Sequence, residues 1–502
     1  MANKACNEVV TVANMPMTVF DMISAMQNKY ADRVAFRYVE GKDTVVEKTY
    51  AQYVQDIRKV TGYLQQELGE PKGKKIVILS RTNYEYGAVV FGTMMAGAVI
   101  VTLNQGKTWA ELEHELDMVE PDRIFNDGID YGYHAQLEAL YGARLRPMDA
   151  WTAAPEAEMV NRIDHEGLLM LMFTSGTTGR SKGVMLSEKN YFTACQMYID
   201  GLKSVLDYEE RLVPQYLDQT FSHFTLVPMF HLAGFICYFV YGIQGWTLNL
   251  CCDARDLRRD MSLMHSDAMS TPPVLVEMIC NEVKRGHADR LNGLWNLSCS
   301  SAILDPAILS DLVKNGFYIN QCYSMTELAG YGLLNVTQEG DHLRALGKPD
   351  GFCEVKVDET GEICVRGGCV MLGYYKDPET TAETIDKDGW LHTGDLARVD
   401  EEGYYYMTGR KKNLIILDSG ENVSPEELEK LLGKCDAIKE CIVKEMGKKI
   451  GTVVCCEDDK QQQVKAFVTE LNRTLPMYKR ISVVECSAEP LPRNALGKLL
   501  RK

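Results

Sequence analysis

Short β-rich apolar runs alternate with helical patterns along about the first 400 residues, as where KIVILS (75–80) precedes a helical pattern near 83–96 and then AVIVTL (98–103). Such alternation packs as helices on the faces of a mostly parallel sheet, because a parallel strand pair needs a crossover long enough to hold a helix. The chain has 502 residues, beyond the roughly 250–300 at which one hydrophobic core stops growing, so two or more domains are expected.

The clearest boundary is GRKKN (409–413), where a glycine and a basic run separate the long body from a tail of different composition. The expected organisation is therefore α/β: a large multilayered domain over 1–409 with mostly parallel sheets, a hinge at 410–413 and a small mobile α+β domain over 414–502. In the tail, Ser424 with Glu427 fits a capping box, Pro425 suits a first helical turn and Gly433 can close the helix in left-handed conformation, which predicts a helix over 425–432. ECIVKE, GTVVCCE and ISVVEC read as strands, and KAFVTELNRTL reads as a helix.

Two uncharged stretches, 87–104 and 232–250, approach the ~20 residues that cross a bilayer. Glycines interrupt both and neither has flanking Lys/Arg bias, so each is expected to be a buried helix running into a buried strand rather than a membrane span. With 54 basic and 70 acidic residues the formal charge is −16, which disfavours nucleic acid and anionic membranes as partners. The segment MANKACNEVV has no apolar signal core, so a reducing, cytoplasmic setting with free thiols is expected for the 16 cysteines.

The segment LLMLMFTSGTTGRSKGVMLS (168–187) sets a Ser/Thr/Gly-rich loop carrying Arg180 and Lys182 between two apolar strands. Glycines let backbone N–H groups approach an anion, hydroxyls donate to it and lysine adds point charge, so the loop suits phosphate. It differs from a Walker A loop in spacing and in leading into a strand.

FTSGTTGRSKGV (173–184) resembles the phosphate loop of the adenylate-forming superfamily, which includes acyl-CoA synthetases, peptide-synthetase adenylation domains and luciferases. The same resemblance runs through PMFHLAGF (228–235), QCYSMTE (321–327), GYYKDPETT (373–381), GWLHTGDLA (389–397), YMTGRKKN (406–413), SGENVSPEELE (419–429) and PRNALGK (492–498). It implies an ATP- and Mg²⁺-dependent ligase that adenylates a carboxylic acid, fatty or aryl, releases pyrophosphate and passes the acyl group to coenzyme A. Two alternatives stay open: a free-standing adenylation enzyme that loads a carrier-protein phosphopantetheine, and a non-catalytic nucleotide-binding relative. A monomer or a homodimer is compatible with either.

By the same resemblance, Lys498, Thr178, Lys182 and Glu327 are catalytic, with Thr178 and Glu327 at the metal. The nucleotide would be held by Thr174, Ser175, Gly176, Thr177, Thr178, Gly179 and Lys182 around its phosphates. Gln321 and Tyr323 would meet adenine, Thr326 phosphate, and Asp395 and Arg410 the ribose side. His231, Ser300, Ser301, Ala302 and Ser324 would line the acyl pocket, and Lys412 would be the hinge. Ser324 stands where many members of the family have glycine, so a reshaped pocket is expected. The family's amino-acid-activating branch usually carries an aspartate near 230–231; its absence here favours an acid without an α-amine.

Overall fold

A computed structural model describes residues 10–175, 181–208, 221–300, 304–338, 340–416, 422–447, 449–493 and 499–500. The chain divides into two compact units: residues up to 355 with 365–391, and 356–364 with 392 onward. Compactness thus separates the chain earlier than GRKKN, since 392–409 group with the tail and 356–364 join them.

Both uncharged stretches are helix-into-strand elements. Tyr84–Met95 is a helix, capped by the Asn83 side chain accepting from the Tyr86 N–H, and the strand Val99–Thr102 follows. Every helix residue but Glu85 is buried, as expected of a helix that is apolar on all sides. Leu232–Gln244 and Thr247–Leu250 repeat the pattern. Among the described residues, no helix is long and apolar enough to cross a membrane. The interrupting glycines serve packing and chain reversal. A Cβ at Gly92 would fall 2.4 Å from the Val60 Cβ, and Gly245 ends its helix at φ +68°, a conformation costly for other residues.

The larger unit holds two sheets. One runs Gly373–Tyr374, Ser181–Leu186, Met170–Ser175, Val99–Thr102, Lys75–Leu79, Arg123–Asn126 and Leu145–Pro147. Its five strands from Met170–Ser175 onward pair in parallel, whereas Ser181–Leu186 folds back antiparallel. The other has a parallel centre, from Tyr318–Met325 through Asn296–Ser300, Ala268–Thr271, Ser222–Thr225 and Thr247–Leu250 to Val34–Glu40. Antiparallel strands Gly330–Asn335 and Thr44–Thr49 close its edges. The α/β expectation is met.

In the smaller unit, Glu440–Glu445, Ile450–Cys455 and Val483–Ser487 form a sheet, beside the helices Pro425–Leu432 and Gln461–Thr474. Two details differ from the sequence reading. The capping box does not form: the Ser424 hydroxyl donates to the Thr408 carbonyl at 2.8 Å and to Glu426 at 3.0 Å, because a backbone acceptor from outside the helix competes for it. Gly433 is right-handed, at φ −63°. The described cysteines are free thiols, most of them buried.

Candidate active site

The glycine-rich loop sits where the antiparallel pair Met170–Ser175 and Ser181–Leu186 turns, with Thr174 opposite Lys182 and Ser175 opposite Ser181. Leu171 and Met172 point to opposite faces of the strand and both are buried, because the sheet is covered on both sides, whereas Thr174 and Lys182 are half-buried at the open end. Gly176, Thr177, Thr178 and Gly179 lie outside the described residues, as does the side chain of Ser175.

The structure brings Lys182 and Glu327 together through a residue to which no role was assigned from sequence. The Lys182 Nζ lies 4.7 Å from the centre of the Tyr374 ring, and the Tyr374 hydroxyl donates to Glu327 Oε1 at 3.0 Å. Tyr374 is placed by pairing opposite Val184 on the strand that carries Lys182. Burial and then the Glu327 charge raise its hydroxyl pKa, so it remains a donor. GYYKDPETT contained the residue, but only strand register shows which tyrosine faces the carboxylate. A second support comes from Lys107, which pairs with the buried Glu115 and donates to the Ser181 hydroxyl at 3.2 Å, at the end of the loop.

Gln321, Tyr323 and Ser324 lie on Tyr318–Met325, and Thr326 and Glu327 open the 3-10 turn Thr326–Leu328, which Ala329 ends in left-handed conformation. Gln321 gives its amide to the Leu343 carbonyl at 2.6 Å. Tyr323 is buried, and a Cβ at Gly332 would meet its ring at 3.4 Å. A register shift between Tyr323 and Ser324 puts Ser324 opposite Tyr331. The Glu327 carbonyl accepts from the Met371 N–H at 2.9 Å, which fixes the turn. Glu327 offers a carboxylate, the hard oxygen donor that Mg²⁺ takes, with Tyr374 orienting it; the residues fit the ion.

His231 is the N-cap of Leu232–Gln244, its Nδ1 accepting from the Ala233 N–H at 3.3 Å, and burial lowers its pKa. It is therefore a neutral, backbone-anchored side chain. Ser300 ends its strand opposite Cys322; its side chain, and Ser301 and Ala302 entirely, lie outside the described residues.

His223 escaped the sequence reading because it lies in an unremarkable strand. It accepts the Ser270 N–H at Nε2 (3.3 Å), so Nδ1 carries the proton and donates to the Tyr241 hydroxyl at 2.7 Å. Burial pushes its pKa down to about 3. Unfolded histidine titrates near 6.5, so between about 6.5 and 3 the unfolded chain binds a proton that the folded chain refuses. Stability from this group is full above that window and is lost as pH falls through it, by up to about 1.4 kcal/mol per pH unit. Replacing it, His223→Gln, should flatten the acid limb of a Tm-against-pH curve from about 6 to 4 relative to the parent. Parallel curves would assign the acid sensitivity to other groups.

In the smaller unit, Asp395 and Arg410 are cross-strand partners, with Arg410 Nε donating to Asp395 Oδ1 at 2.8 Å. Asp395 is 4% exposed, and its N–H donates to the Thr393 hydroxyl. Behind it, the buried Glu362 accepts from the Gly394 N–H at 2.7 Å and from Lys411 Nζ at 2.8 Å. Lys412 lies in the 3-10 turn Lys411–Asn413, where burial and then Arg410 lower its pKa. Lys498 and residues 418–421 lie outside the described residues.

A family model described as AMP-binding enzyme matches residues 24–375. The peroxisomal OPC-8:0-CoA ligase 1 of Arabidopsis thaliana is 27% identical over 481 residues, covering 87% of this chain and 84% of its own. A long-chain-fatty-acid–CoA ligase of Escherichia coli O157:H7 is 27% identical over 546 residues, covering 97% and 93%. Among solved structures, o-succinylbenzoate CoA synthetase from Bacillus subtilis with its acyl-adenylate intermediate gives a TM-score of 0.80 at 23% identity, covering 96% of each chain. Its complex with ATP and a magnesium ion gives 0.77 at 22%, covering 96% and 98%. Both likenesses concern the fold.

Proposed function

The chain belongs to the AMP-binding enzyme family, and from that premise we propose that it is an AMP-forming acid–thiol ligase acting on ATP, a carboxylic acid and coenzyme A. The observation that carries this reading is the convergence of Lys182, Tyr374 and Glu327 beside the mouth of the glycine-rich loop: a cation and a held carboxylate suit a triphosphate with its metal. Relatives named as CoA ligases support coenzyme A as acceptor, and the one named for long-chain fatty acids supports a fatty acid as substrate, with an aryl acid as the second substrate class to test.

The substrate carboxylate attacks the α-phosphorus in line and pyrophosphate leaves. Positioning and charge stabilisation dominate such transfers, so the protein's part is to hold and neutralise. Lys182 and the loop hydroxyls meet the phosphates, Asp395 accepts from the ribose hydroxyls and Lys498 offsets charge at the reacting carboxylate. Mg²⁺ held by Glu327 and Thr178 would neutralise phosphate charge. The thiol then attacks the acyl carbonyl and AMP leaves. His231, neutral and fixed by the Ala233 N–H, contacts the acyl chain rather than transferring protons, and Ser324 shapes the pocket.

The hinge is proposed at Lys412. Proline there fixes φ near −65° and opposes a large backbone change concentrated on a few residues. Lys412→Pro should leave adenylation near the parental rate and slow thioester formation roughly tenfold or more. Equal rates in both half-reactions would move the hinge elsewhere. The whole reading is tested by pyrophosphate release with ATP and a panel of fatty and aryl acids, with and without coenzyme A. Release that depends on the acid, together with a thioester product, supports it; no release with any acid, or release that yields no thioester in the presence of coenzyme A, overturns it.

A further inference from the structure

Three side chains of the smaller unit that the reaction above leaves without a role converge: Asp358, Cys364 and His392 each present a ligand atom within 4.8 Å of the others. Cys364 is fully buried on the strand Glu362–Gly367. Asp358 stands at the turn before it, its Oδ1 accepting from the Thr360 and Glu362 N–H groups at 2.9 Å each. His392, on Leu391–Val399, brings Nδ1 to 3.5 Å from the Cys364 sulfur and 3.2 Å from Glu362 Oε2.

We propose that Asp358, Cys364 and His392 form a binding site for a zinc-type divalent ion, separate from the Mg²⁺ residues. The geometry suits it. With zinc–sulfur and zinc–nitrogen bonds of about 2.3 and 2.1 Å, the 3.5 Å sulfur–nitrogen separation subtends roughly 105°, close to the tetrahedral angle. The charges balance as well. Glu362 is already paired with Lys411 at 2.8 Å, so the donors are one carboxylate, one thiolate and a neutral imidazole, with a combined charge of −2 against a divalent ion. A sulfur, nitrogen and oxygen set selects zinc or cobalt, whereas Mg²⁺ takes oxygen ligands in an octahedron.

Asp358 and His392 are partly exposed, so an ion enters from their side and meets the buried sulfur last. Binding replaces the Cys364 thiol proton, which leaves to solvent; no electron is transferred, and affinity rises with pH. Glu362 links the site to the nucleotide residues of its own unit, because the same carboxylate accepts the Gly394 N–H next to Asp395.

The test is a Co²⁺ titration of the full chain, followed by thiolate-to-cobalt charge-transfer absorption, then displacement by Zn²⁺. One Co²⁺ per chain with this band is expected, displaced by Zn²⁺ and retained in excess Mg²⁺. Cys364→Ser should lose the band, and His392→Gln and Asp358→Asn should each weaken Zn²⁺ binding tenfold or more. Because the chain has 16 cysteines, a band that survives in Cys364→Ser would place the ion elsewhere and overturn the proposal. So would unchanged Zn²⁺ affinity in both other variants, which decide the matter if circular dichroism shows that Cys364→Ser has not folded.

Discussion

Lys498→Ala is expected to slow acyl-adenylate formation on the order of 100-fold or more, the loss that follows removal of a preorganised charge from a transition state. The motif PRNALGK supplies the lysine, and its assigned task is confined to the step in which negative charge develops between the acid and the α-phosphate. Thioester formation from supplied acyl-adenylate should therefore proceed near the parental rate. Two assays separate the steps: pyrophosphate release from ATP and acid, and coenzyme A consumption from synthetic adenylate. Equal damage to both would refute the division of labour, and damage to the second alone would put Lys498 on the thiol side.

Glu327→Gln should cut adenylate formation by about 100- to 1,000-fold, since it keeps the shape of the side chain and removes the charge facing the phosphates. Tyr374 provides the control. Its hydroxyl donates to Glu327 Oε1, so Tyr374→Phe leaves the charge in place but frees the carboxylate to rotate, and a loss of about tenfold is expected. The discriminating measurement is rate against Mg²⁺ concentration. Half-saturation should move to higher Mg²⁺ in both variants and further in Glu327→Gln. In the double variant the two effects should be less than additive, because the residues are in contact. An unchanged Mg²⁺ dependence would make Glu327 a partner of Tyr374 and the turn, with the metal held elsewhere.

The candidate residues that strand pairing brings together share one property: their placement is local. Thr174 and Lys182 flank one loop, and the hairpin places them opposite each other. Asp395 and Arg410 are partners across a single antiparallel pair. The buried helix-into-strand reading of 87–104 and 232–250 also needed only local pattern, because a charge-free segment broken by glycine has few other uses. Where the sequence misled, something from outside the segment intervened. The Thr408 carbonyl took the Ser424 hydroxyl away from the expected capping box, and no chain pattern in 424–433 announces that acceptor.

From the sequence alone follow the family, the alternation of strands and helices, the order of the motifs and the chemistry of each candidate residue, because side-chain type and short-range periodicity fix these. Tertiary structure decided which residues meet. Tyr374 reaches Glu327 across a separation of 47 residues, and Lys107 reaches Ser181 across 74. It also decided which histidine is locked neutral in the core, His223 rather than the motif residue His231 alone. The grouping of 356–364 with 392 onward was likewise decided by packing. Such pairings depend on strand register and on which faces are buried together. A one-residue slip would reverse every side chain on a strand, and that choice is made by the assembled core rather than by any segment of the chain.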